Sequence, residues 1–278
     1  MKRNKKILVK KYNGKYEPFS EFKLERSLKR VGSSPKVAKE IVKSIKVGLR
    51  DGTRTSQIHD QALNLLSQKR APLSARYNLK QALLALGPSG HTFENFIGEF
   101  LKAKGYSVEL RQMVMGKCVM HEVDVVARKG QEHVLVEAKF HNHPGFKTDI
   151  KTALYVKARF DDIVKSKLRK PHFHKAILIT NTKFTQDAIA YAECEGLELI
   201  GWNYPAKGSL QEIIETSGLL PVTSLSSLSL VQQRDLLKNG FVLCHDLVNN
   251  PMSMKIINAT NLQENIILDE ASKVCKIK

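Results

Sequence analysis

Two apolar runs, each with strand-like alternation and an embedded acid, constrain this 278-residue chain more than any other feature. In Val134-Leu135-Val136-Glu137-Ala138-Lys139-Phe140, period-two alternation puts Val134, Val136, Ala138 and Phe140 on one face and Leu135, Glu137 and Lys139 on the other. A carboxylate and an ammonium two residues apart therefore point the same way. Upstream, Val123-Asp124-Val125-Val126 places an acid among β-branched residues. Lys129-Gly130-Gln131 reads as the turn between the two runs, and antiparallel pairing brings Asp124 near Glu137.

Two carboxylates held close in a partly buried strand pair repel, and at neutral pH they call for a cation between them. Hard oxygen ligands, without cysteine or a set of histidines, suit Mg²⁺ or Mn²⁺ rather than Zn²⁺. Such an ion polarises a phosphoryl oxygen and lowers the pKa of bound water. Lys139 is placed to orient that water or to stabilise charge on the phosphoryl oxygens. Glu94, one residue off the apolar stripe of an upstream helix, can lean over the same site as a further acid. The bland alternative is a Glu137–Lys139 ion pair on the surface of an edge strand, which contributes little.

The breakers Gly87-Pro88-Ser89-Gly90 and Pro205-Ala206-Lys207-Gly208 divide the chain into modules 1–88, 89–204 and 205–278. The first opens with Ile7-Leu8-Val9 and Tyr12-Asn13-Gly14-Lys15-Tyr16, where Asn-Gly predicts a hairpin with a two-residue turn. Helices follow over 20–31, 35–49, 55–68 and 74–86, with Ser20 and Thr55 as N-caps and Pro35 in a first turn. In the second module Thr92 caps a helix whose Phe93, Phe96, Ile97, Phe100 and Leu101 form one stripe, ended by Gly105. Strands are expected near 106–114, 119–127 and 133–140, then a helix at 148–167, a strand at 176–180, a helix at 185–195 and a strand at 197–201. The closing β-α-β run implies a parallel pair, so the module is α/β with a mixed sheet. The third module is leucine-rich and helical to about 250. Its tail has strand-like pieces at Lys255-Ile256-Ile257 and Ile266-Ile267-Leu268.

Charge is distributed unevenly. Residues 1–90 hold 21 Lys+Arg against 6 Asp+Glu, residues 91–204 hold 17 against 14, and residues 205–278 hold 7 against 7. A basic excess concentrated in one module favours an anionic partner, nucleic acid or nucleotide ahead of lipid. Four scattered cysteines without a CxxC pair read as reduced thiols of an intracellular, cytoplasmic protein. No apolar run reaches membrane-spanning length, and Ile7-Leu8-Val9 is too short for the core of a secretory signal.

Asp124, twelve residues, then Glu137-Ala138-Lys139 resembles the PD-(D/E)XK nuclease signature. The surroundings resemble its Mrr-like restriction endonuclease branch over roughly 91–203. They are Phe93-Glu94, Lys104-Gly105-Tyr106-Ser107-Val108, Ile179-Thr180-Asn181 and Phe184-Thr185. The resemblance implies that Asp124 and Glu137, with the Ala138 carbonyl, ligate the metal, that Lys139 assists the attacking water, and that Glu94 is an auxiliary acid. Hydrolysis of a DNA phosphodiester is the implied reaction. The chain departs from the pattern at Val123-Asp124, where Pro-Asp is usual, and at Glu137, where many Mrr-type members carry Gln.

Residues 7–86 resemble an ATP-cone domain through Val9-Lys10-Lys11-Tyr12-Asn13-Gly14-Lys15-Tyr16-Glu17-Pro18-Phe19, Lys23-Leu24 and Ala75-Arg76-Tyr77-Asn78-Leu79. By position, Lys11 and Lys23, then Lys10 and Arg26, correspond to that family's phosphate-holding cations. Tyr12 stands where the family usually has Arg, which removes a bidentate phosphate contact. With no GxxxxGK[ST] in the chain, ATP or dATP would be a regulatory ligand, not fuel. A grip on the DNA backbone is the competing use of this module, and both can hold.

Several residues keep two readings. Tyr155, Lys157 and Arg159 either line a DNA cleft or form a solvated basic face. His141 and His143 receive no role, and Trp202 is read as a packing residue. The third module either resembles a helix-hairpin-helix or dimerises through its leucines. Together these features point to a metal-dependent DNA endonuclease in restriction or DNA defence, regulated by ATP or dATP, with a homodimer suited to cutting both strands. The alternative is a non-catalytic, nucleotide-responsive nucleic-acid-binding protein on a nuclease-like fold.

Overall fold

A computed structural model describes residues 7–69, 71–166 and 173–275. The chain opens with β1 (Leu8–Lys10) and β2 (Tyr16–Pro18), paired antiparallel with Lys10 opposite Tyr16. The expected two-residue turn is replaced by a longer one. The Gly14 N–H donates to the Lys11 carbonyl at 3.0 Å, Gly14 takes φ +79°, and the Lys11 N–H donates to the Lys15 carbonyl at 2.8 Å. This is a type I turn followed by a left-handed residue, which needs glycine at its third position and not both central positions at positive φ.

Four helices follow: α1 (Glu21–Arg30), α2 (Pro35–Gly48), α3 (Thr55–Ser67) and α4 (Ala71–Leu84). Ser20 caps α1 and Ser34 caps α2 through their hydroxyls, with Pro35 at the first turn of α2. Thr55 is not the cap of α3. Arg54 holds that position and its N–H is taken by the Gln57 side chain at 2.9 Å. Leu28, Ile41, Ile45 and Leu66 close a small core between the hairpin and the first three helices.

The second module begins with α5 (Gly90–Ala103), β3 (Ser107–Met115), β4 (Met120–Lys129), β5 (Glu132–Lys139), β6 (Lys147–Thr148) and α6 (Ile150–Val164). It continues with β7 (Lys175–Thr180), β8 (Lys183–Phe184), α7 (Gln186–Glu195) and β9 (Glu198–Ile200). The cap of α5 is Ser89, not Thr92, because Ser89 takes the extended backbone of an N-cap directly after Gly87 and Pro88. The expected end of the α6 helix at Lys167 lies outside the described residues.

The five-stranded sheet runs β3-β4-β5-β7-β9, antiparallel among the first three and parallel among the last three. One face, carrying Val134, Val136, Ala138, Ile177 and Ile179, is covered by Phe93, Phe96, Ile97 and Phe100 of α5. The other packs Leu178 and Leu199 against α6 and α7. The short parallel pair of β6 and β8 was not anticipated, because two-residue strands leave no periodic signal.

The third module contains α8 (Leu210–Ser217), α9 (Leu230–Lys238), α10 (Cys244–Asn249), α11 (Met252–Ile256) and α12 (Asn261–Cys275). The strand-like tail pieces are helical. Ile267, Glu270, Ala271 and Val274 are buried at i, i+3, i+4 and i+7, the period of a helix, which outweighs the β-branched character of Ile266-Ile267. All four cysteines are free, and no described helix is long and apolar enough to cross a membrane.

α4 ties the modules together. Its Leu79 and Leu83, with Leu86 just beyond its end, enter the core on one face of the sheet beside Trp202, Ala75 enters the C-terminal core, and Leu73 and Tyr77 pack on the N-terminal core. The Thr223 hydroxyl also donates to the Ala82 carbonyl at 2.7 Å. Leu83→Ala, at a side chain only 1% exposed, should therefore cost about 2–5 kcal/mol. Urea unfolding followed by the fluorescence of Trp202, the single tryptophan, checks this. The Trp202 transition should move to lower urea, and an unmoved transition would separate α4 from the sheet core.

Candidate active site

Asp124 lies where two strand ladders break. Between β3 and β4 the pairing steps from Leu110–Val125 to Gln112–Val123 and skips Arg111, which has φ +51°. Between β4 and β5 the ladder starts only at Val125–Val136, one residue short of Asp124 and Glu137. In place of a backbone partner, the Asp124 Oδ2 accepts the Ala138 N–H at 2.8 Å. The side chain thus substitutes for a missing ladder bond and fixes the carboxylate against β5.

Arg111 pays for a left-handed backbone of the kind that costs about 1–3 kcal/mol and gathers at functional sites. Its guanidinium donates to the Glu94 Oε2 at 3.1 Å and to the Asn95 Oδ1 at 3.0 Å. Glu94 is buried, and its charge acts on Asp124. A Cβ at Gly98 would meet the Leu110 side chain at 2.9 Å, so glycine lets α5 lie close to β3 and carry Glu94 toward the strands. Sequence reading missed Arg111, since nothing in the alternation of β3 separates it from an ordinary solvent-facing residue.

Glu137 stands on β5, which is central in the sheet, between β4 and β7. The edge-strand ion pair with Lys139 is therefore not what forms. Arg159 of α6 donates through Nη1 to the Glu137 Oε2 at 2.5 Å, and its guanidinium lies 4.6 Å from the Tyr155 ring centre. The Arg159 Nε is buried and has no acceptor among the described residues. Lys157 instead pairs with Asp161 and Glu195, away from Glu137. Lys139 is exposed and sits in register with Thr180 on β7.

Burial, reinforced by the nearby Asp124 charge, pushes the Glu137 carboxyl up to about 7 against the opposing pull of Arg159. Burial also raises Asp124, and the Ala138 N–H works in the opposite direction. This is a carboxylate pair short of positive charge. Its donors are hard oxygens, which fit Mg²⁺ or Mn²⁺. Among the described residues no three His, Cys, Asp or Glu side chains form a metal cluster. The set fits an ion as two carboxylates, with the Ala138 carbonyl and solvent or phosphate oxygens completing it.

The strand end beyond Lys139 is secured by Asn181, whose side chain accepts the His141 N–H at 2.9 Å and donates to the His141 carbonyl at 2.8 Å. The His141 ring meets the Thr148 hydroxyl at 3.0 Å, and Thr148 donates to Thr180 at 3.2 Å. Further along this loop, the His143 Nδ1 lies 3.0 Å from the Tyr12 hydroxyl of the hairpin. Tyr12, in place of the expected arginine, thus reaches the second module.

The four cations singled out in the first module do not converge. Lys11 pairs with Glu17 at 2.7 Å and Lys23 with the same acid at 3.6 Å. Lys10 lies over the Tyr16 ring, and Arg26 is exposed on α1. Only Lys23 of the four lines a cavity of about 270 Å³ formed with Ser20, Thr55, His59 and Tyr77, where the His59 and Tyr77 rings stack at 4.8 Å. Lys10 and Lys11 line a different cavity, beside Asn142 and His143.

Three family models match the chain: a restriction endonuclease model over residues 86–203, an ATP cone domain over 7–79, and an AF1548-like C-terminal model over 220–275. An uncharacterized protein of Archaeoglobus fulgidus is 35% identical over 179 residues, which cover 64% of this chain and 99% of the relative. Among solved structures, the crystal structure of the protein of unknown function AF1548 superposes with a TM-score of 0.56 at 32% identity, covering 67% of this chain and 98% of that one. The MspJI restriction endonuclease in complex with a 27-mer oligonucleotide gives a TM-score of 0.35 at 14% identity, over 85% of this chain and 48% of that one, too loose to carry an argument.

The raised Glu137 pKa sets a pH dependence for the metal-free protein. A carboxyl raised from 4.5 to about 7 on folding contributes stability that is fully present below 4.5 and is lost as pH rises through 7. At 1.36 kcal/mol per pH unit the loss is about 3 kcal/mol. In EDTA, wild type should lose stability between pH 4.5 and 7.5 relative to Glu137→Gln, as read by urea denaturation. Parallel pH profiles would contradict the burial of an unmatched charge.

Proposed function

From the premise that the chain belongs to the family of the Archaeoglobus fulgidus protein, with an Mrr-type restriction endonuclease domain behind an ATP-cone domain, we propose a metal-dependent DNA endonuclease. The observation that carries this reading is the placement of Asp124 and Glu137 across the broken β4–β5 ladder, with Lys139 two residues beyond Glu137 on the same face. Asp124 and Glu137, joined by the Ala138 carbonyl, would hold Mg²⁺ or Mn²⁺. When bound, the ion polarises the scissile phosphate and lowers the pKa of its water.

The chain's own residues supply the rest. The exposed Lys139 ammonium orients the attacking water and stabilises charge developing on the phosphate oxygens. Glu94, held by Arg111, adds a further acid beside Asp124 and keeps the local field negative toward a cation. Arg159, paired with Glu137 beside the site, carries a guanidinium whose geometry would suit a phosphate oxygen. Cutting both strands of a duplex takes two such sites, so the working unit in this reading is a homodimer in the cytoplasm.

ATP or dATP is the regulatory ligand in this reading. The cavity lined by Lys23, Thr55, His59 and Tyr77 offers a cation for phosphate and stacked rings beside it. A role in restriction or DNA defence rests on the match to the restriction endonuclease family.

Supercoiled plasmid, methylated and unmethylated, incubated with Mg²⁺ or Mn²⁺ and with EDTA, tests the activity. Wild type should cut only with metal, and Asp124→Ala and Lys139→Ala should each slow cutting by roughly 10²–10⁴-fold. ATP and dATP should change the rate. Wild type that binds the plasmid yet leaves it intact under every metal condition would sink the nuclease and favour a nucleic-acid-binding role.

A further inference from the structure

The second cavity, about 560 Å³, lies between the hairpin module and the loop that follows the catalytic strand. One wall is formed by Lys10, Lys11 and Arg54, the other by Asn142 and His143, and Tyr12 spans the two through its contact with His143. It is separate from the cavity of Lys23, His59 and Tyr77, with which it shares only Thr55.

Like charges are brought together around this loop. Lys10 and Arg54 form an isolated parallel β-bridge, which sets two cations side by side on the cleft wall. At the far end of the loop, Lys147 and Lys183 are direct partners in the β6–β8 pair. Like charges at paired strand positions are destabilising unless an anion lies between them. Lys80 on α4 is the neighbour of the cleft residue Gln81, and it too has cations about it. Burial lowers its pKa, and Lys183 and Arg30 add to that shift with no acid opposing them. On the cleft wall Lys11 is paired with Glu17, and Arg54 forms no ion pair among the described residues.

We propose that this cleft between the hairpin module and the nuclease module binds the phosphodiester backbone of DNA, with Lys10 and Arg54 on its wall and the Lys147–Lys183 pair extending the track from the far end of the loop. The inference rests on the nuclease reading for the identity of the polyanion. A backbone carries charge at regular intervals along a line, which matches cations drawn from two modules along one loop. A single nucleotide presents one compact cluster of charge and has the other cavity to occupy. Tyr12 is then a strut that holds the hairpin wall against the loop, in place of the phosphate contact an arginine would make.

The test is the salt dependence of binding to a fluorescein-labelled duplex, measured by anisotropy on the full chain in EDTA, so that binding is read without cutting. Each phosphate contact contributes about 0.9 to the slope of log Kd against log salt. Lys10→Ala, Arg54→Ala and Lys183→Ala should each lower the slope by about that much, while Arg54→Lys keeps it. Lys43→Ala, an exposed cation on α2 outside both cavities, serves as the control and should leave the slope unchanged. The charge-retaining Arg54→Lys guards against a variant that only misfolds.

Slopes equal to the Lys43→Ala control in all three variants would overturn the proposal. So would displacement of DNA by ATP together with loss of ATP binding in Lys10→Ala and Arg54→Ala, because the cleft would then belong to a nucleotide. The two readings also separate. Lowered slopes in a protein that never cuts leave the cleft standing and remove the nuclease, whereas metal-dependent cutting with unchanged slopes does the reverse.

Discussion

Two desolvated carboxylates, set across from each other in the middle of a sheet, are the constraint around which the rest of the site is built. The interior of a five-stranded sheet is a costly place for Asp124 and Glu137, and the surrounding structure compensates for each. Asp124 gains the Ala138 N–H because the ladder opens at its position, and Glu137 gains Arg159. The same opening accounts for the unusual backbone of Arg111, which stands opposite Asp124 and ties Glu94 into the group. A sheet meant only to be stable would fill these positions with valine, as it does one residue further along at Val125 and Val136. Under the proposed function, the two acids serve to hold a cation.

Integration of the modules follows from α4. A helix that contributes Leu79 and Leu83 to one core, Ala75 to another and Tyr77 to a third cannot move independently of any of them. The hairpin is anchored differently, by its own short pairing, by the Lys10–Arg54 bridge and by Tyr12 on His143. It forms a wall of both cavities, and it touches through His143 the loop that leaves β5 and is secured at His141 by Asn181.

Most of the sheet was legible because period-two alternation and β-branched runs carry over from sequence to strand, as at 134–140 and 176–180. The acid pair was legible for the same reason, since the turn at Gly130 sets the register that brings Asp124 opposite Glu137. Arg159 was not, because its role depends on where α6 packs, and a cation on a helix face looks alike whether it meets water or Glu137. Arg111 and the β6–β8 pair depend on backbone geometry that composition does not encode. The caps expected at Thr55 and Thr92 are displaced by one and three residues because Arg54 and Ser89 are the residues that take the extended N-cap backbone, neither with a side-chain cap bond. In the tail, Ile266-Ile267-Leu268 suggested a strand until the burial of Ile267, Glu270, Ala271 and Val274 showed the longer helical period.

The most direct test of the central claim, that Asp124 and Glu137 form a hard-cation site, is calorimetric titration of Mn²⁺ into the full chain at pH 7 in two buffers of different ionisation enthalpy. With the Glu137 carboxyl near 7, the account predicts saturable binding with release of about half a proton per site, lost in Asp124→Ala and without proton release in Glu137→Gln. Binding that survives Asp124→Ala, or that shows the same heat in both buffers, would contradict it.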